Sequence, residues 1–167
     1  MNTYKSKTEK LITYTVFTIY LLFLTWLVLF KLAVKPDMIC RMRGINLIPF
    51  YYKTESPFHL REVLYNILVF IPAGFYFTAT DKSHNIFRGP KSVMILSISY
   101  EFIQLIFALG ATDITDIITN TFGGFLGMCL YILLGRLRKA DSLTIINTLG
   151  LVMEAETLVL VTVVMAI

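Results

Sequence analysis

Two carboxylates three residues apart, a carboxamide four residues further on, and two glycines at matching spacing run through the stretch from Asp113 to Gly127. At about 100° per helical residue, Asp113, Asp116, Asn120, Gly123 and Gly127 fall within an arc of about 80°. Acids and an amide on one wall can hydrogen-bond a polar ligand, move protons or, with more oxygen ligands, hold a hard cation. The residues between them are apolar, so the strip reads as a membrane-spanning helix with a face that lipid will not accept. A charge at the bilayer centre costs roughly 2.5 to 3.5 kcal/mol, and such residues turn toward a bundle interior or a wet cavity.

Other polar side chains could share that interior. Arg61 and Glu62 open a second apolar stretch, and Asn66 stacks one turn beyond Glu62. Ser97, Glu101 and Gln104 lie within about 60° on a third. Pro72, in Ile71-Pro72-Ala73-Gly74, marks a packing kink, which a membrane helix tolerates when neighbours satisfy the freed carbonyl. Gly123 and Gly127 suit close backbone approach against a neighbouring helix. Two acids three residues apart with Glu101 make too thin a set for a metal site. His59 lacks a Cys or a spaced His beside it, so no metal and no cofactor is expected.

These residues need elements to position them. With 167 residues, 56% hydrophobic and 16% charged, and a mean hydropathy of +0.71, the chain is too apolar for a soluble domain. Four to five stretches approach the roughly 20 residues of a spanning helix, near Leu11–Val34, Glu62–Thr78, Ser92–Leu109, Asp116–Leu134 and Leu143–Ile167. The expected fold class is all-α, a polytopic integral membrane helical bundle of four to five transmembrane helices. The first stretch follows Lys5, Lys7 and Lys10 but lacks a small-x-small cleavage site, so it reads as a retained anchor. The last carries Glu154 and Glu156 about 160° apart on a helix, an awkward pair for one partner.

Cationic residues set the sides. With the N-terminus inside, nine of the 15 lysines and arginines fall inside, and the short external link Gly110–Thr112 carries none. The organisation that follows is a cytoplasmic N-terminus at 1–10, a helical membrane domain at 11–142 with an extracellular loop at 35–60, and a C-terminal spanning segment at 143–167. The loop mixes Arg41, Arg43, Tyr51, Tyr52 and Phe58, as suits a segment on the headgroup layer. Cys40 and Cys129 fall on different levels and are not expected to pair. The basic residues sit in short segments between spans and form no stripe, which argues against nucleic acid.

Several motifs occur together in order: Asn46-Leu-Ile-Pro-Phe50, Asn66 followed by Phe70-Ile-Pro-Ala-Gly74, Glu101-x-x-Gln104, and Asp113-Ile-Thr-Asp116 leading to Asn120-Thr-Phe-Gly123 and Gly127. Over roughly Ile45 to Leu134 this pattern resembles the VanZ-like membrane proteins. The resemblance implies a small bacterial integral membrane protein associated with resistance to glycopeptides, chiefly of the teicoplanin type. Family members often place a basic residue shortly before the paired acids, where this chain has Gly110-Ala111-Thr112, leaving Arg61 as the cation for such a role.

On this topology Arg61, Glu62, Asn66, Gln104, Asp113, Asp116 and Asn120 converge in the outer half of the membrane, with Glu101 beneath them. The first reading is a protein of the bacterial cytoplasmic membrane whose outward polar pocket engages membrane lipids and a cell-wall precursor or glycopeptide antibiotic. A second is an intramembrane enzyme on a lipid-linked phosphate, with Glu101, Asp113 and Asp116 moving protons or holding a metal. A third is a small-molecule transporter, which the apolar inner run of Phe125, Leu126, Met128 and Leu130 opposes.

Overall fold

A computed structural model describes residues 7–30, 42–51, 57–81 and 85–137, together with 148, 151, 152, 155 and 159. Among these, four helices and two strands follow one another: α1 Lys7–Phe30, β1 Met42–Asn46, α2 Pro57–Ala79, α3 Arg88–Phe107, β2 Leu109–Asp113 and α4 Ile114–Leu137. Three helical stretches are long and apolar enough to cross a membrane: Lys10–Phe30, His59–Ala79 and Ile114–Leu134. Helix α3 carries Arg88, Lys91 and Glu101 along its 20 residues. Of the expected span at 143–167 only Thr148, Leu151, Val152, Ala155 and Val159 are described, each in helical conformation, and Cys40 lies outside the described residues.

Glycines decide how the helices meet. A Cβ on Gly123 would collide with the Ile67 carbonyl, one on Gly127 with the Ile71 carbonyl, and one on Gly74 with the backbone of Gly124. Helices α2 and α4 therefore run parallel with their backbones in direct contact, which only small residues permit. Gly124 faces the Val93 side chain, so α3 joins the same seam. Pro72, buried in α2, removes the N–H that the Leu68 carbonyl would take, and the Tyr20 hydroxyl of α1 donates to the next carbonyl, that of Val69. The apolar core gathers Tyr20 and Leu24 of α1, Phe70, Phe75 and Tyr76 of α2, and Val93 and Tyr100 of α3. Phe17 stacks on Tyr76 with centroids 5.1 Å apart.

Beside the expected helical bundle stand two short strands. β1 and β2 pair in parallel, from Met42 opposite Leu109 to Asn46 opposite Asp113. A parallel pair needs a long crossover, and α2 with α3 supplies it. The segment Gly110–Thr112, expected as a bare link, is the middle of β2, and the expected loop at 35–60 contains β1. Approach is close at the centre, where a Cβ on Gly44 would lie 3.3 Å from the Ala111 Cβ. Helix α3 ends at Ala108, whose left-handed φ of 55° turns the chain from helix into strand. The sheet closes the end of the bundle where α3 finishes and α2 and α4 begin.

The opposite end is tied by an ion pair between the end of α2 and the start of α3. Arg88 pairs with Asp81 at 2.7 Å, and the Asn85 backbone N–H donates to the same carboxylate at 3.1 Å. Pro90 falls in the first turn of α3, where a missing N–H costs no helical bond.

Candidate functional site

Asp113 is the last residue of β2 and lies just ahead of α4, so it is not on the helical face that the spacing predicts. Its Oδ1 accepts the Thr115 N–H at 2.8 Å, the bond of a helix N-cap. Its Oδ2 accepts from the Asn46 amide at 3.0 Å, directly across the sheet register. The N–H of Asp113 itself donates to Glu101 Oε2 at 2.9 Å. In a capping box that last role belongs to the acid at the third helical position. Here the third position is Asp116, which is engaged elsewhere, and Glu101 reaches across from α3 to do it.

Asp116 accepts from the Asn66 amide of α2 at 2.7 Å. Asn46 is tied in three directions: Oδ1 accepts the Ile48 N–H at 3.2 Å, and Nδ2 donates to the Tyr51 carbonyl at 3.1 Å as well as to Asp113. Thr115, fully buried, accepts the Phe50 N–H at 3.1 Å. The Thr112 hydroxyl donates to the Glu101 carbonyl at 3.3 Å. Strand β1, its following turn and β2 are thus joined by polar bonds to α3 and to the start of α4, which in turn is bonded to α2. Three carboxylates, those of Glu101, Asp113 and Asp116, thus gather at the N-terminus of α4.

The remaining expected residues take varied places. Asn120, buried, donates to Ser97 Oγ at 2.9 Å one and a half turns down α4, and its Oδ1 has no hydrogen-bond partner. Gln104 turns toward α1, donating to the Val28 carbonyl at 3.0 Å, with its Oε1 likewise without a partner. Glu101 is buried. Arg61 and Glu62 are exposed on the first turns of α2, and no hydrogen bond described here ties Glu62 to the cluster. Among the described residues no three of His, Cys, Asp and Glu gather as metal ligands would. Cys129 is a free, exposed cysteine on α4.

Asn46, Thr115 and the Phe50 amide belong to this cluster, though acid and amide spacing within helices does not point to them. Two signals were available. Asn ahead of a Pro-containing turn is an Asx-turn signature, and Asp with a second acid three residues on, before an apolar run, is a helix-start signature. Chemically, the cluster is a set of oxygen acceptors and amide donors at one end of the bundle. Such a set recognises hydroxyls, amides and cationic groups.

Comparison with known proteins adds three findings. Residues 17–135 match the family described as VanZ/LLP1. The chain is 41% identical over 124 residues to Protein VanZ of Enterococcus faecium, covering 73% of this chain and 74% of that protein. No solved structure matches.

Proposed function

The chain belongs to the VanZ/LLP1 family, and from that premise we propose that it is a multi-pass protein of the bacterial cytoplasmic membrane that lowers susceptibility to teicoplanin-type glycopeptides. In this reading the N-terminus is cytoplasmic, four or five helices span, and the end of the bundle that carries the sheet faces outward. The polar cluster there engages a cell-wall precursor, a lipid headgroup or the glycopeptide itself. Asp113, Asp116 and Glu101 accept from hydroxyl, amide or ammonium groups, Asn46 and Asn66 orient the acids, and Arg61 meets anionic groups.

The observation that carries the reading is the meeting of Asn46, Asn66, Glu101, Asp113 and Asp116, drawn from five different elements, at a single end of the bundle. Buried acids and amides in a membrane protein are costly unless satisfied, and they concentrate where a protein meets its ligand. Expression in a glycopeptide-susceptible host, with teicoplanin tolerance as the readout, tests it. Tolerance is expected to rise with the wild-type chain and to fall back with Asp116→Ala at equal membrane abundance. An unchanged tolerance on wild-type expression overturns the proposal.

A further inference from the structure

The turn after β1 combines two features that a water-exposed loop does not need. Ile45, Leu47, Ile48, Phe50 and Tyr51 are all more than half exposed, with Leu47 at 69% and Phe50 at 55%. Large apolar side chains are normally scattered on a protein surface, and a contiguous run of them marks a surface meant to be covered. The turn is also held by several hydrogen bonds. Pro49 and Phe50 occupy its two central positions, and Tyr51 N–H donates to the Ile48 carbonyl at 3.3 Å. Phe50 holds a φ of 56°, which a bulky side chain rarely adopts and for which glycine is the usual choice. Three bonds keep it there: Phe50 N–H to Thr115, and the Asn46 side chain to Ile48 and Tyr51. Backbone strain of this kind persists where the surroundings over-determine it, often at sites of contact.

We infer that the segment Ile45–Tyr51 is a preformed apolar wedge that inserts among the acyl chains of the adjacent leaflet. Two observations select lipid as the occupant. The wedge is pinned to the first turn of α4, the start of a stretch long and apolar enough to span. The exposed Ile118, Phe122 and Phe125 of that stretch, and Leu60, Leu64 and Leu68 of α2, continue the apolar surface down the bundle from the same end. Residues 41–53 also hold three cations, Arg41, Arg43 and Lys53, and no acid, a balance that complements anionic headgroups on either side of an inserted tip. Aromatic side chains at this depth are the usual anchors of a membrane interface.

This places the Asn46–Asp113 bond directly behind the wedge, at the level of the headgroups, so that a lipid-borne ligand reaches the polar cluster sideways from the leaflet. The inference rests on membrane insertion of the chain and not on its role in glycopeptide tolerance, and its test reads neither growth nor antibiotic.

The chain has a single tryptophan, Trp26. In a Trp26→Phe background, Phe50→Trp and, separately, Leu47→Trp place the only indole on the wedge of the full-length protein. Each variant is reconstituted into phosphatidylcholine–phosphatidylglycerol vesicles with and without phosphatidylcholine brominated on its acyl chains. The expected result for both is a blue-shifted emission, strong quenching by the brominated lipid and weak quenching by aqueous acrylamide. Emission like that of tryptophan in water, with acrylamide quenching and no effect of bromine, overturns the inference. Shielding from both quenchers also overturns it, since the cover is then protein.

Discussion

Asp113 ties three parts of the site together, its carboxylate accepting from Thr115 and Asn46 and its backbone N–H donating to Glu101. Loss of an N-cap acceptor costs about 1 kcal/mol, and the Asn46 amide loses an ionic acceptor in the same step. Asp113→Ala is therefore expected to destabilise the fold by about 1 to 3 kcal/mol, measured as unfolding in mixed detergent micelles. Asp113→Asn is more informative. It retains an oxygen for the Thr115 N–H and sets an amide nitrogen against Asn46 Nδ2, donor against donor. Adding Asn46→Asp restores a donor and an acceptor, so the double variant is predicted to recover part of the stability that Asp113→Asn alone loses. A double variant no more stable than the single one removes the cross-strand bond from the account.

At the scale of elements, α2 against α4 is the contact that fixes the bundle, since it brings backbone onto backbone at Gly74, Gly123, Gly124 and Gly127. A branched side chain at Gly127 has the Ile71 carbonyl and the Phe75 amide in its way, with no flexible atom to yield. Gly127→Val is expected to cost well over the roughly 1 to 3 kcal/mol of ordinary overpacking, seen as lost folded yield after detergent extraction. Phe125→Leu, on the exposed face of the same helix, should extract and unfold like the wild type. The four described helices were legible in the sequence to within a few residues, three of them because a stretch apolar enough to span is announced by uninterrupted apolarity rather than by a pattern. The sheet was not legible. Met42–Asn46 and Leu109–Asp113 show no alternation of apolar and polar residues, and their pairing joins segments 67 positions apart, which no local signal reports. Because β2 runs up to α4, Asp113 precedes the helix and does not lie on its face, and its offset from Asp116 fits the residue ahead of a helix as well as one on it. The Asn66–Asp116 and Ser97–Asn120 bonds depend on which helices touch, and the glycine spacing names a packing face without naming its partner.

For the molecule as a whole, three apolar helical stretches and membership of the VanZ/LLP1 family make this a membrane protein. Helices α1 and α3 run parallel, with Thr25 at Tyr100 and Val28 at Gln104, and α2 and α4 run the other way. The bundle thus has two unlike ends. One is closed by the parallel sheet and holds the acids, amides and apolar wedge; at the other, Arg88 pairs with Asp81. The proposed function has the first of these face the outside. Single cysteines at Thr112 and Asn85, in a chain with Cys40→Ser and Cys129→Ser, report on the two ends separately. In intact cells a membrane-impermeant maleimide is predicted to label the cysteine at position 112, and the one at position 85 only after permeabilisation. Labelling of position 85 alone in intact cells would turn the polar cluster toward the cytoplasm and contradict the account.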